Sequence, residues 1–227
     1  MNHLSSYLSI VNATHRRQKI QEAKFPAIGQ VSSYGNVKQT LRKSLQKPDF
    51  GRDDLEFLIS KLDADAQRKE GQSKNNALLQ SRAVRAFQET FNPRRFSRYE
   101  FGPATKLTLS ISKVKVNISL DATISQVSGD ILNSGGIFLR YSFAQGRGDE
   151  RAEQRAIASL IYWGLETGQI EPLPRLCMAI DVAMQKVTKA PIGFERFRRT
   201  ASHACAEAAS QWPTIEPPHD YDGPDWR

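Results

Sequence analysis

Residues 107–120 read LTLSISKVKVNISL and residues 137–143 read IFLRYSF; these two stretches decide the fold. In the first, Leu107, Leu109 and Ile111 alternate with polar residues. After a short turn at Ser112 and Lys113 the alternation resumes with Val114, Val116, Ile118 and Leu120. A period of two marks strands buried on one face, so this stretch predicts an antiparallel hairpin. The second stretch is almost continuously apolar and follows the punctuation Ser134-Gly135-Gly136. It reads as a central strand covered on both faces.

Downstream, residues 144–149 (AQGRGD) read as a loop, and Asp149 with Glu150 opens a helix to about Glu166. Its buried side carries Ala152, Ala156, Leu160 and Trp163. Leu176, Met178, Ile180 and Val182 alternate as a fourth strand, and Phe194, Phe197, Ala201 and Ala204 line a last helix ending before Pro213. Upstream the period becomes helical. Leu79, Ala83, Ala86 and Phe87 predict a helix over 74–91 with Ser73 as its cap. The polar, Gly-containing residues 65–76 read as a loop and a domain boundary. Before it lie a helix over 3–23 (Leu4, Tyr7, Leu8, Val11), stopped by Pro26 and Gly29, and a second helix through Tyr34, Val37, Leu41 and Leu45. A short third helix follows, marked by Leu55, Leu58, Ile59 and Leu62, with Asp53 in its first turn. The expected class is α+β or α/β: N-terminal helices followed by an α-β-β-β-α-β-α mixed-sheet domain. The expected divisions are a basic helical region (1–65), the mixed α/β domain (73–212) and a tail rich in proline and acids (213–227), extended or disordered.

The hydrophobic content of 39%, with 11 Phe and 3 Trp, suffices for a core. No run of apolar residues is long enough to span a bilayer, and residues 1–13 lack the pattern of a signal peptide, so the cytoplasm is expected. Cys177 and Cys205 form no CxxC pair and read as buried, inert thiols rather than a disulfide or zinc framework. The histidines show no metal spacing, and no GxxxxGK[ST], GxGxxG or GxSxG is present.

Charge is the clearest pointer to a partner. The chain carries a net +8, and residues 1–100 hold 18 Lys/Arg against 10 Asp/Glu, whereas residues 101–227 hold 14 of each. A basic field of this kind draws polyanions. Arg16, Arg17, Lys19, Lys38, Arg42, Lys43 and Lys47 come from the first two helices, away from their apolar stripes. Arg94, Arg95 and Arg98 are interleaved with Phe91, Phe96 and Tyr99, a pattern that suits phosphate contact with base stacking. Nucleic acid is the expected ligand.

The order α-β-β-β-α-β over residues 74–187 resembles the PD-(D/E)XK nuclease core, a topological resemblance covering about half of the chain. It implies acids on the second and third strands holding Mg²⁺, which activates water, with a Lys beside them. Asp121 matches the first acid. Phe138-Leu139-Arg140 stands where (Asp/Glu)-x-Lys is expected, so the second acid is missing and Arg replaces Lys. Glu89 on the preceding helix is the candidate migrated acid. The resemblance thus implies Glu89, Asp121 and Arg140 as a catalytic set, with Glu89 and Asp121 as Mg²⁺ ligands if the site is active. Each also has a structural reading: Asp121 caps a turn, Arg140 reaches a surface carboxylate, and Glu89 is an exposed helix acid. Asp181 faces the polar side or pairs with Arg140. Residues 74–166 also resemble the order of a double-stranded RNA-binding domain, but Asp149-Glu150-Arg151-Ala152-Glu153 stands where that family places phosphate-binding lysines. The leading expectation is a nucleic-acid-binding protein on a degenerate nuclease-like core. The alternatives are an active Mg²⁺-dependent nuclease, and a non-enzymatic assembly or regulatory subunit docking a protein partner through its first two helices.

Overall fold

The computed structural model describes residues 2–10, 12–26, 34–141, 149–168, 170–221 and 223. The helices are α1 (Asn2–Ser9), α2 (Ala13–Lys24), α3 (Gly35–Ser44), α4 (Arg52–Arg68), α5 (Gly71–Thr90) and the single turn α6 (Pro93–Phe96). Strands β1 (Glu100–Phe101), β2 (Thr105–Ile111), β3 (Val114–Leu120), β4 (Ala122–Ser128) and β5 (Ile131–Arg140) follow. Then come α7 (Glu150–Thr167), β6 (Pro172–Asp181), β7 (Lys186–Lys189) and α8 (Glu195–Gln211). No described helix is long and apolar enough to cross a membrane.

The result is an α+β fold with N-terminal helices. Strands β1-β4-β5-β6-β7 form one mixed sheet, and β2 and β3 form the expected antiparallel hairpin as a separate two-stranded sheet. Within the large sheet, β4 and β5 are antiparallel, while β5 and β6 run parallel across the α7 crossover. As its apolar run predicts, β5 is central. Ile137 and Leu139 enter one core with α3, α4 and α5, while Phe138 enters a second with α7 and the hairpin. Strand β6 divides likewise, with Leu176, Met178 and Ile180 on the first side and Cys177 and Ala179 on the second. Both cysteines are free and buried, as expected.

Several elements differ from the sequence expectation. The strand beside β5 is β4, which ends in Ser125-Gln126-Val127-Ser128 and has too weak an apolar alternation to be read. Strand β5 begins at Ile131, and its glycines are strand residues rather than punctuation. A Cβ on Gly135 would lie 2.3 Å from the Leu176 carbonyl oxygen, so the close approach of β6 demands glycine there. The short strand β7 was likewise unread. The helix expected over 3–23 is two helices. Asn12 caps the second by accepting from the Thr14 and His15 amides, which restarts the chain in a new direction; Val11, Gly29 and residues 142–148 lie outside the described set. The stretch 65–76 is mostly helix. Asp63 on α4 accepts from Ser81 and pairs with Arg85 on α5, so the expected boundary is a tight helical hairpin with only Lys69 and Glu70 between its arms. Ser73 lies inside α5, whose N-cap is Glu70.

The tail, expected as extended or disordered, is irregular and largely exposed from residue 215 to 221, yet it is anchored at Ile215 and Tyr221. Ile215 is buried with Tyr7, Ile20, Phe25 and Ala204 in a third, small core, and the Phe25 and Tyr221 rings meet edge to face at 5.2 Å. An apolar residue between prolines offers no periodicity, yet it supplies enough buried surface to pin a segment this short.

Candidate nucleic-acid interface

Asp121 occupies the corner where the chain leaves β3 for β4, and its side chain is fully buried. Both carboxylate oxygens are engaged. Oδ1 accepts from Arg42 at 2.6 Å from Nε and 2.5 Å from Nη2, with Lys38 Nζ at 3.3 Å. Oδ2 accepts from the Leu139 amide at 2.6 Å. Val37, Leu41 and Leu45 sink the apolar stripe of α3 into the first core. Lys38 and Arg42, expected to face solvent or a partner, turn inward beside that stripe. Once buried, the carboxylate needs a cation, and these two are the ones in reach. Tyr141 is buried next to them, and burial, together with the nearby Asp121 charge, holds its hydroxyl well above the usual phenol range.

Glu89 is exposed on α5, and its Oε2 accepts from Gln185. Arg140, at the carboxyl end of β5, spreads its guanidinium toward Glu153 at 3.4 Å and Glu150 at 3.6 Å, with Asp181 at 4.0 Å. Asp181 is itself buried and accepts from Gln154 and from the Met184 amide. The two ends of the would-be catalytic set therefore differ in kind. Asp121 is sealed by cations, and Arg140 is held by acids from α7 and β6. Among the described residues no group of three or more His, Cys, Asp or Glu side chains could hold a metal ion.

Many basic residues of the first hundred positions have internal partners. Arg16 pairs with Glu207, Lys19 with Glu22 and Lys47 with Asp54. Arg17 donates to the Thr214 carbonyl, and Lys24 to those of Trp212 and Ile215. The basic face expected along the first two helices is thereby divided among local contacts.

A smaller surface stays open. Arg94, Arg95 and Arg98 fall within five residues on and after α6, and all three are exposed. No carboxylate pairs with any of them among the described residues, nor with the exposed Lys43 on α3. The rings of Phe87, Phe91 and Phe96 form a buried cluster, with the half-buried Phe101 against it and Phe91 and Phe96 4.9 Å apart. The Arg95 guanidinium lies 5.6 Å from the Phe96 ring, and that of Arg98 lies 5.0 Å from the half-buried Tyr99 ring. Gln46, just after α3, donates to the Gly102 carbonyl and ties the end of α3 to this platform. The aromatic interleaving visible in the sequence thus builds a packed base, with Tyr99 and Phe101 half-buried at its edge.

The apolar faces of the first helices, expected as docking surfaces, are spent internally, since Tyr7, Val37, Leu41 and Leu45 are buried. Exposed apolar surface lies instead at the β4–β5 turn, where Val127, Ile131 and Leu132 are 64%, 66% and 63% exposed. Sequence reasoning missed this tip because β4 was not read as a strand. No protein-family model matches the chain, and no curated protein matches it.

Proposed function

We propose that this chain binds nucleic acid without cleaving it, contacting phosphates through Arg94, Arg95 and Arg98 with Lys43 beside them. The observation that carries the reading is the arginine trio itself: three exposed guanidinium groups without acidic partners among the described residues, on a stiff aromatic base. Guanidinium forks match phosphate geometry, and a base set in place beforehand lowers the ordering cost of contact.

A degenerate nuclease-like core remains part of the proposal. The parallel β5–α7–β6 crossover supports the likeness, whereas the hairpin expected to lead into the central strand, β2–β3 with Asp121 at its end, forms a sheet of its own and counts against it. Arg42 and Lys38 occupy Asp121 where the likeness implies Mg²⁺, which favours binding over hydrolysis. The test is binding of duplex and single-stranded oligonucleotides across a salt series, starting near about 50 mM, with the Arg94→Ala/Arg95→Ala/Arg98→Ala variant alongside. Binding that weakens with salt and is lost in the triple variant supports the reading; salt-independent binding, or none at low salt, overturns it.

The assembly-subunit reading is favoured by the exposed apolar β4–β5 tip, where Val127 and Leu132 are cross-strand partners, because exposed aliphatic surface marks interaction sites. A stable co-purifying protein partner that is lost in the Ile131→Lys/Leu132→Lys variant would give this reading precedence.

A further inference from the structure

Arg17, Gln21 and Lys24 recur at helical spacing and form one stripe along α2. All three donate to the backbone of the segment that follows α8. Arg17 reaches the Thr214 carbonyl at 3.1 Å and Gln21 that of Glu216 at 2.8 Å, while Lys24 reaches those of Trp212 and Ile215 at 2.8 and 2.9 Å. The segment is pinned mainly by Ile215, in the small core it shares with α1, α2 and α8.

The chemistry of this contact is unequal. Two full positive charges are matched to neutral carbonyls, and no carboxylate pairs with Arg17 or Lys24 among the described residues. A phosphate would accept the same hydrogen bonds with charge assistance, which makes them roughly twice as strong. The segment holds its place by an apolar anchor and by proximity, since it is part of the same chain. A multivalent phosphate ligand is therefore a competitor for the stripe.

We infer that residues 212–216 are an internal cover over a phosphate-binding stripe formed by Arg17, Gln21 and Lys24, and that a polyanion displaces them. The ligand class rests on the nucleic-acid reading above, but the stripe is a separate surface from the Arg94–Arg98 trio. Displacement frees one small core and leaves the two larger ones intact, as expected of a local opening.

The experiment is amide hydrogen exchange of residues 212–221 in the full chain, read with a duplex oligonucleotide and, separately, with inorganic polyphosphate. The amides of Ile215 and Tyr221, which donate to Trp212 and Pro218 carbonyls, are the reporters. With polyanion bound, their exchange accelerates by about tenfold, as for an opening made favourable by ligand. In Arg17→Gln/Lys24→Gln that acceleration disappears, while duplex binding through the arginine trio persists. Ile215→Ala, with its fold checked by circular dichroism, binds polyphosphate several-fold more tightly. Unchanged exchange with both polyanions bound overturns the inference, as does an acceleration that survives in the double Gln variant. If polyphosphate frees the segment but the duplex never binds, the cover stands and the nucleic-acid reading falls. If the duplex binds and neither probe moves the segment, the reverse holds.

Discussion

Arg42 and Asp121 stand 79 positions apart in the chain and meet inside the protein, where the guanidinium closes on one carboxylate oxygen with contacts of 2.5 and 2.6 Å. Asp121 is wholly shielded from solvent, whereas Arg42 keeps about a third of its side chain exposed (31%). The pair fastens α3 to the corner between the two sheets. Through Oδ2 the same carboxylate fixes the β5 backbone at Leu139. A residue that the nuclease likeness implies as a metal ligand is therefore a bracket joining three elements.

Removing that bracket is costly. Asp121→Ala leaves Lys38 and Arg42 without their acid and the buried Leu139 amide without its acceptor, so urea unfolding shows a loss of about 3 kcal/mol or more. Arg42→Ala loses a comparable amount, because Asp121 stays buried with Lys38, at 3.3 Å, as its remaining cation. The Asp121→Ala/Arg42→Ala double variant falls well short of the sum, which a double-mutant cycle measures directly.

Divalent metal has no open position at Asp121. Plasmid DNA incubated with the protein and Mg²⁺ or Mn²⁺ stays intact, and neither ion raises the melting temperature. Glu89→Gln changes neither result. Cleavage abolished by Glu89→Gln would restore the active-nuclease alternative.

Counterion release gives the arginine trio a number. If each side chain neutralises one phosphate, the slope of log Kobs against log salt becomes shallower by about 1 for each residue removed, hence by about 3 in the triple Ala variant. Arg42→Gln leaves that slope unchanged in the folded population, since its charge is spent on Asp121.

Burial pushes the Cys177 thiol up from an ordinary value of 9.0 to about 12. The folded state therefore keeps a proton that the unfolded chain gives up, so the contribution is complete below pH 9 and is lost as pH rises toward 12. Between pH 8 and pH 10 the loss from this one group comes to about 1.4 kcal/mol. Urea midpoints at pH 8 and pH 10 should show the fall, and Cys177→Ala should lessen it. Native protein leaves the thiol unmodified by alkylating reagents at neutral pH.

Gly135→Ala drives a methyl group into the Leu176 backbone, which cannot move aside without parting β5 from β6. The expected cost is about 3 kcal/mol, near the top of the range for overpacking. Gly136→Ala meets a side chain instead, the Leu120 methyl at 2.8 Å, and costs less because that group can rotate. Thermal unfolding of the two variants ranks them.

What was legible in the sequence was periodicity. The hairpin at Leu107–Leu120, the twice-covered strand at Ile137, the capped helix from Asp149 and the stripe Val37-Leu41-Leu45 all follow from residue spacing that repeats. Strand β4 escaped because its outer half, although paired with β5 as far as Ser128, is half-buried to exposed and carries Ser, Gln and Val where a buried strand would alternate. The role of Lys38 and Arg42 escaped for another reason. A cation beside an apolar stripe looks the same whether it meets water or a buried acid, and its partner lies far off in the sequence. That Arg94, Arg95 and Arg98 are exposed beside packed aromatic rings was legible because those neighbours are adjacent in the chain, so a local reading of their surroundings was enough.

The clasp between α2 and the segment after α8 joins residues separated by 188 to 197 positions. During synthesis at about 5–20 residues per second, α2 leaves the ribosome roughly 10–40 s before Ile215 exists to complete its small core. For that interval Ile20 and Phe25 have no lasting cover. Helix α2 is thus made well before it is fully secured, and a nascent chain halted before Ile215 would expose it to chaperones and proteases.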